Sequence, residues 1–159
     1  MLTQDRLKQL LHYNPDTGIF TRLHSRGGSL AGSPCGSVGN DNRVQISVDN
    51  KNYRAHRLAW LYVYGEFPEL EIDHINGNAS DNRISNLRSV SHKVNLQNRI
   101  TFTKHNSVKY IGVTKNRNRY GAQIKIDGVR VWLGTYDTPQ EASEVYLKFK
   151  RQYHEGCTI

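Results

Sequence analysis

Apolar positions along the chain follow two periods and switch between them several times. Leu7, Leu10 and Leu11 fall on one helical face behind Thr3, a side chain suited to capping, so the spacing predicts a short first helix. Asn14-Pro15-Asp16-Thr17-Gly18 has turn chemistry, and Ile19 to Leu23 reads as a short strand. Gly27 to Gly39 is rich in Gly and Ser and reads as a loop. Val44, Ile46 and Val48 then alternate, and Asp49-Asn50-Lys51 turns the chain so that Tyr53 continues as the hairpin partner. His56 to Tyr64 reads as a helix stopped by Gly65, Glu71 to Ile75 and Leu87 to Val90 as short strands around a polar loop, and Ser91 as the cap of a helix reaching Gln97.

Beyond a polar stretch, Tyr110 to Thr114, Arg119 to Ile126 and Val129 to Tyr136 read as three strands, the last two joined by Asp127-Gly128 in a tight hairpin. Thr138-Pro139-Gln140-Glu141 combines a capping Thr, Pro at the first helical position and Glu at the capping-box position. Ala142, Val145, Tyr146 and Phe149 form the apolar stripe of that last helix.

Charge narrows the partner. The 159 residues hold 22 Lys and Arg against 14 Asp and Glu, a net charge of +8 that points to an acidic partner, nucleic acid first. No apolar run approaches the ~20 residues that span a bilayer, and the first six residues lack a signal-peptide layout. Cys35 and Cys157 form no C-x-x-C pair, which excludes a thiolate zinc site and a disulfide framework and fits a reducing cytoplasm.

The middle of the chain carries candidate chemistry. Asp73-His74 ends a strand, Asn86 precedes the next, and Asn95 lies on the helix after it. A carboxylate and an amide oxygen suit a hard divalent cation, and an adjacent histidine can take a proton from water. Phosphodiester hydrolysis needs both, and the histidine's other ring nitrogen must be held by a backbone carbonyl or an Asn oxygen.

Glu71-Ile72-Asp73-His74-Ile75-Asn76-Gly77-Asn78, Asp81 to Arg88 and Asn95, with the lead-in Ala55-His56-Arg57-Leu58-Ala59-Trp60, closely resemble the HNH endonuclease family of phage and prophage type. The resemblance implies a ββα-metal fold, His74 as general base, Asp73 and Asn95 as metal ligands, and Asn86 fixing the loop and the orientation of the base. Asn95 stands where many members have histidine, and its hard oxygen favours Mg2+ or Mn2+ over Zn2+. Arg57, Arg83 and Arg88 are candidates to grip phosphate, Arg88 alternatively a solvated surface arginine. His92 is a third ligand, a phosphate contact or a surface histidine; His56 touches DNA or the metal site, or only caps its helix.

Tyr110-Ile111-Gly112-Val113, Val131-Trp132-Leu133-Gly134-Thr135-Tyr136 and Thr138 to Ala142 resemble the plant Apetala/ethylene-response-factor DNA-binding domain, over about residues 109–153. That domain lays a three-stranded sheet in the major groove with a helix behind. Alternation independently puts Arg119, Gly121, Gln123 and Lys125 on one side and Tyr120, Ala122, Ile124 and Ile126 on the other, with Arg130 and Trp132 sharing a face. The resemblance places Lys115, Tyr120, Gln123, Lys125, Arg130 and Trp132 at or near DNA contacts; Trp132 packing on the helix is the alternative. For Tyr120, alternation says inward and the family says outward.

The expected fold class is α+β: a ββα-metal nuclease core with N-terminal strands and helix, plus a C-terminal three-stranded antiparallel sheet packed on one helix. The expected division is 1–54, an N-terminal region of the nuclease; 55–98, the core; 99–108, a linker; and 109–159, the DNA-binding domain. The expected function is Mg2+- or Mn2+-dependent hydrolysis of double-stranded DNA by a cytoplasmic monomer or homodimer, with no membrane partner. The alternative is a DNA-binding protein with an inert nuclease core.

Overall fold

The computed structural model describes residues 1–98 and 107–158. Two compact units result, Met1–Ser91 and His92–Ile159. Most of the linker expected at 99–108 lies outside the described residues.

In the first unit, Thr3 accepts from the Arg6 N–H and starts α1 (Gln4–Leu10), which buries Leu7. Leu11 belongs to a strand, β1 (Leu11–Asn14), paired antiparallel with β2 (Ile19–Arg22). The helical period of Leu7, Leu10 and Leu11 hides this strand, whose Leu11 and Tyr13 are buried while His12 is exposed. β3 (Ser37–Val38), β4 (Val44–Val48) and β5 (Lys51–Arg54) form a small sheet in that order. Positive φ at Asp49 and Asn50 makes the tight β4–β5 turn. α2 (Ala55–Tyr64) ends on Gly65 in the left-handed region, and β6 (Glu71–His74) pairs antiparallel with β7 (Leu87–Val90).

The apolar faces of α1, β1, β2, β4 and α2 meet in one core around Leu7, Phe20, Leu58 and Leu61, and Ile72 and Leu87 join it from β6 and β7. The residues before Ala55 therefore share a core with the strand pair that carries Asp73 and His74.

The second unit begins with α3 (His92–Gln97). β8 (Val113–Asn116), β9 (Arg119–Ile126) and β10 (Val129–Tyr136) follow as an antiparallel sheet of order β10-β9-β8. β8 starts three residues later than the pattern predicts. Gly112 lies in the left-handed region with Tyr146 against it; a Cβ there would fall 2.0 Å from the ring. α4 (Pro139–Tyr153) starts on the expected capping box, with both reciprocal bonds present, and packs on the sheet through Ala142 and Tyr146. The expected α+β class, with a three-stranded sheet packed on one helix, is what the chain adopts. Among the described residues no helix is long and apolar enough to cross a membrane.

Candidate active site

Asp73 and His74 end β6 and are both 6% exposed. Antiparallel register sets Asp73 opposite Arg88 and His74 opposite Leu87. Arg88 donates from Nε and Nη2 to one oxygen of Asp73, Oδ2, each at 2.8 Å. The arginine expected to face phosphate thus compensates a nearly buried carboxylate. Arg83 likewise grips Asp81, holding that carboxyl down at about 2. Arg57 donates to the Pro68 carbonyl and lies over the Phe67 ring. All three arginines expected on phosphate are engaged with protein groups.

The loop from Ile75 to Ile84 decides the state of His74. Asn86 Oδ1 accepts from the Asn76 N–H at 3.0 Å and its Nδ2 donates to the Asp81 carbonyl at 2.8 Å, so Asn86 ties the two ends of the loop together. That is the loop-fixing half of its expected role. The contact on His74 comes instead from Asn82, whose Oδ1 stands 3.3 Å from His74 Nε2.

Asn82 Nδ2 donates to the Ser80 carbonyl, which fixes the amide's orientation and turns Oδ1 toward the histidine. With Oδ1 as the acceptor, Nε2–H is the donor of this bond, the tautomer that puts the lone pair on Nδ1. Burial pushes the His74 pKa below its ordinary 6.5, against the upward pull of the Asn82 bond, so the ring is neutral at pH 7.

Asn82 is placed from far away in sequence. The Tyr13 hydroxyl, on β1, donates to the Asn82 carbonyl at 2.7 Å, and the Tyr13 ring packs against Phe20 and Tyr62. Burial pushes the Tyr13 phenol up to about 12, so it stays a donor. Gly18, at φ +72°, lets the β1–β2 turn approach the same backbone; a Cβ there would sit 2.5 Å from Asn82 C and Arg83 N. Ser80 also donates to the Asn42 carbonyl. Asn82, Tyr13 and Gly18 escaped the sequence reading because no local spacing links them to His74.

His56, for which contact with DNA, contact with the metal site and a helix-capping role were the alternatives, stands beside His74. It lies on α2, 7% exposed, its ring 5.2 Å from that of His74 and at 85° to it. Its Nδ1 is buried with no hydrogen-bond partner, and burial, with His74 next, pushes its pKa down to about 3.

Asn95 is half-buried on α3 and His92 is exposed there. Among the described residues no group of three or more His, Cys, Asp or Glu side chains is arranged to hold a metal. A two-oxygen set of carboxylate and amide is a different case, and its donors are hard.

In the second unit, β9 follows the expected alternation. Tyr120, Ala122 and Ile124 face the small core, and Arg119 and Lys125 are exposed. Alternation thus prevails over the outward Tyr120 the resemblance implied, and the register of β10 against β9 shifts at a bulge between Trp132 and Gly134. Lys125 pairs with Arg130 and half-buried Gln123 with Trp132, so the four share the outer face. Trp132 is 55% exposed and lies across Gly121, where a Cβ would be 2.2 Å from Cη2; the ring does not pack on the helix. Arg119 reaches Asp137 and the Thr135 carbonyl. Lys115 pairs with Tyr120, so register gives it the face Tyr120 uses, at an exposed strand end.

Comparison with known proteins bears on the first of these regions. An uncharacterised HNH endonuclease of Acanthamoeba polyphaga mimivirus is 27% identical over 103 residues, 64% of this chain and 53% of its own length. The chain thus spans about half the length of that relative. No solved structure matches. Residues 53–97, from β5 through α3, match the family model described as HNH endonuclease, the segment that contains His56, Asp73, His74, Asn82, Asn86 and Asn95.

Proposed function

We propose that the chain is a phage-type HNH DNA endonuclease that hydrolyses phosphodiester bonds in duplex DNA with His74 as general base. One observation carries this: a buried, neutral histidine whose Nε2–H is held by Asn82, leaving Nδ1 as the basic atom, within the segment that matches the family. Nδ1 takes a proton from water, the resulting oxygen nucleophile attacks phosphorus, and the P–O3′ bond breaks. The leaving oxygen takes a proton from solvent, giving 3′-hydroxyl and 5′-phosphate ends.

Asp73 and Asn95 would hold one Mg2+ or Mn2+, which when bound supplies a Lewis acid for the scissile phosphate. The fit lies in the donor set, a carboxylate and an amide oxygen, both hard. Lys125, Arg130, Gln123 and Trp132, with Arg119 at the edge, form the surface proposed to meet DNA, in the manner of the plant domain that residues 109–153 resemble. Arg57, Arg83 and Lys115 would contribute only outer phosphate contacts. A monomer would nick; a homodimer would cut both strands.

The test is relaxation of supercoiled plasmid with Mg2+, alongside His74→Ala and an EDTA control. Nicked or linear product that falls roughly 10²- to 10⁴-fold in the variant and vanishes in EDTA is expected. DNA binding without cleavage by the wild type, on plasmid and on phage genomic DNA, would favour the inert-core alternative.

A further inference from the structure

The arginines of the first unit are almost all taken by protein groups. Arg6, Arg43, Arg54, Arg83 and Arg88 reach carboxylates, and Arg57 reaches a carbonyl. Arg22 is the exception. It ends β2, half-buried, and its Nε is out of water. Among the described residues that Nε has no hydrogen-bond partner, and no carboxylate pairs with the guanidinium. Taking a charged donor out of water without a partner is unfavourable, and an anion beside it would offset the desolvated charge.

Arg22 lines a cavity of about 170 Å³ at the open end of the β1–β2 hairpin. That is below the roughly 300–1,000 Å³ of small-molecule pockets and suits one phosphate group with its waters. The rest of the polar lining can donate. Arg26 makes only a long contact, 3.4 Å from Nη2 to the neutral Asn50 Oδ1. It precedes the turn residues Gly27 and Gly28, both at positive φ, and exchanges backbone bonds with Ser29, so this part of the Gly/Ser-rich stretch is a tight hairpin. The Ser25 hydroxyl accepts from the Ala31 N–H at 2.9 Å, which leaves its own hydrogen to give. His24 is tethered through Nε2 to the Gln9 carbonyl. Asp49 is the one carboxylate on the lining, and Arg6 takes both of its oxygens, at 2.9 and 3.0 Å. Buried Leu11 and Val48 complete the wall, so charge is screened less there than on an open surface.

The turn end of the same hairpin meets the Asn82 backbone at Gly18. Arg22 lies at the other end, roughly 10 Å along the strands. An anion held there is distinct from one attacked beside His74. We propose that this cavity is a second phosphate subsite of the first unit, where Arg22, Arg26 and Ser25 donate to a backbone phosphate flanking the one that is cut. This rests on duplex DNA being the substrate, and it supplies the free guanidinium contacts that Arg57, Arg83 and Arg88 do not.

The experiment uses the full chain in EDTA, so that binding is read without cleavage. The first readout is affinity for a labelled DNA duplex over a range of salt. Arg22→Met keeps the length of the side chain and removes its charge. It should weaken binding about 10- to 100-fold, the scale of a charge-assisted hydrogen bond. The slope of log affinity against log salt should fall by about 0.9, one phosphate's share, and Arg26→Met should lower it likewise. The melting midpoint of Arg22→Met in phosphate-free buffer should hold, because no protein partner is lost. The second readout needs no variant. A buried Arg22 Nε–H exchanges slowly, so its ¹H–¹⁵N signal is visible, and it should move when inorganic phosphate or the duplex is added.

Unchanged duplex affinity and salt slope in Arg22→Met would overturn the proposal, as would an Arg22 signal that neither phosphate nor duplex moves. A signal moved by inorganic phosphate but not by duplex would also overturn it, since the cavity would then take a free anion. Cleavage is scored separately with Mg2+. A wild type that binds duplex through Arg22 but cuts nothing sinks the nuclease reading and leaves the subsite standing.

Discussion

The two units solve opposite problems. The first buries thirteen apolar residues in one core and, at its edge, keeps His56, Asp73, His74, Asn82 and Asn86 nearly out of water. The second, among the described residues, buries four apolar side chains, Val113, Ala122, Ile124 and Ala142, and leaves its basic sheet face and Trp132 in solvent. Burying polar groups demands that each be held by a partner. Where chemistry depends on one tautomer of one ring, that demand is what supplies the orientation. The surface proposed to meet DNA needs no such investment; it needs charge on a flat, stable strand face. Small alanines under α4 bring the helix close to the sheet without crowding the outer side.

Two glycines break this comparison most sharply. Gly18→Ala, at φ +72°, would drive a methyl into the backbone of Asn82 and Arg83, and Asn82 bonds His74. Overpacking together with left-handed strain should cost about 2–4 kcal/mol in the denaturation midpoint, with cleavage falling in the protein that remains folded. Gly121→Ala meets only the far end of exposed Trp132, which can swing away; urea unfolding should move by less than about 0.5 kcal/mol while DNA affinity drops. Equal destabilisation by the two would remove the contrast.

Acid should act through the first unit. The unfolded chain protonates His56 near 6.5, whereas the folded chain refuses the proton until about 3. Stability is therefore intact above pH 6.5 and is lost as pH falls from there toward 3, at about 1.4 kcal/mol per pH unit from this group. Denaturation series from pH 7 to 4 should show the slope in wild type and a flatter one in His56→Phe. Tyr13→Phe leaves the Asn82 carbonyl without its buried donor and should cost about 1–3 kcal/mol by the same measurement. The smallest effect on stability belongs to Lys125→Ala and Arg130→Ala. Neither should shift unfolding, but each should reduce the slope of log affinity against log salt by about 0.9 if it neutralises one phosphate. Unaltered salt slopes would remove the sheet face from DNA recognition.

Legibility in the sequence follows the range of the interaction. β9, β10 and the start of α4 were readable because an Asp-Gly hairpin and a Thr-Pro-x-Glu box are complete within four residues. β1 was not, because Leu11 satisfies both periods and only the pairing with Arg22 decides. Asp73 and His74 could be singled out from chemistry on adjacent residues. That Asn82 rather than Asn86 bonds the base could not, since both asparagines sit in a polar loop of suitable length. The choice between them is made by Tyr13, 69 residues away, and by a glycine turn that leaves room for it. The arginines misled for a related reason: a spacing shows that a guanidinium is present, not that a nearby carboxylate has already taken it.

The end of the chain closes on α3. Gly156 N–H donates to Gln97 Oε1, the Thr158 hydroxyl donates to Asn98 Oδ1, and a Cβ at Gly156 would collide with the Val94 carbonyl. The helix that bears Asn95 is thus clasped by residues that follow the sheet and α4. Trimming the chain after residue 98 would strip that clasp along with the C-terminal sheet. A truncation therefore tests the setting of Asn95 and the sheet at once, and point substitutions are the instrument that can tell the two apart.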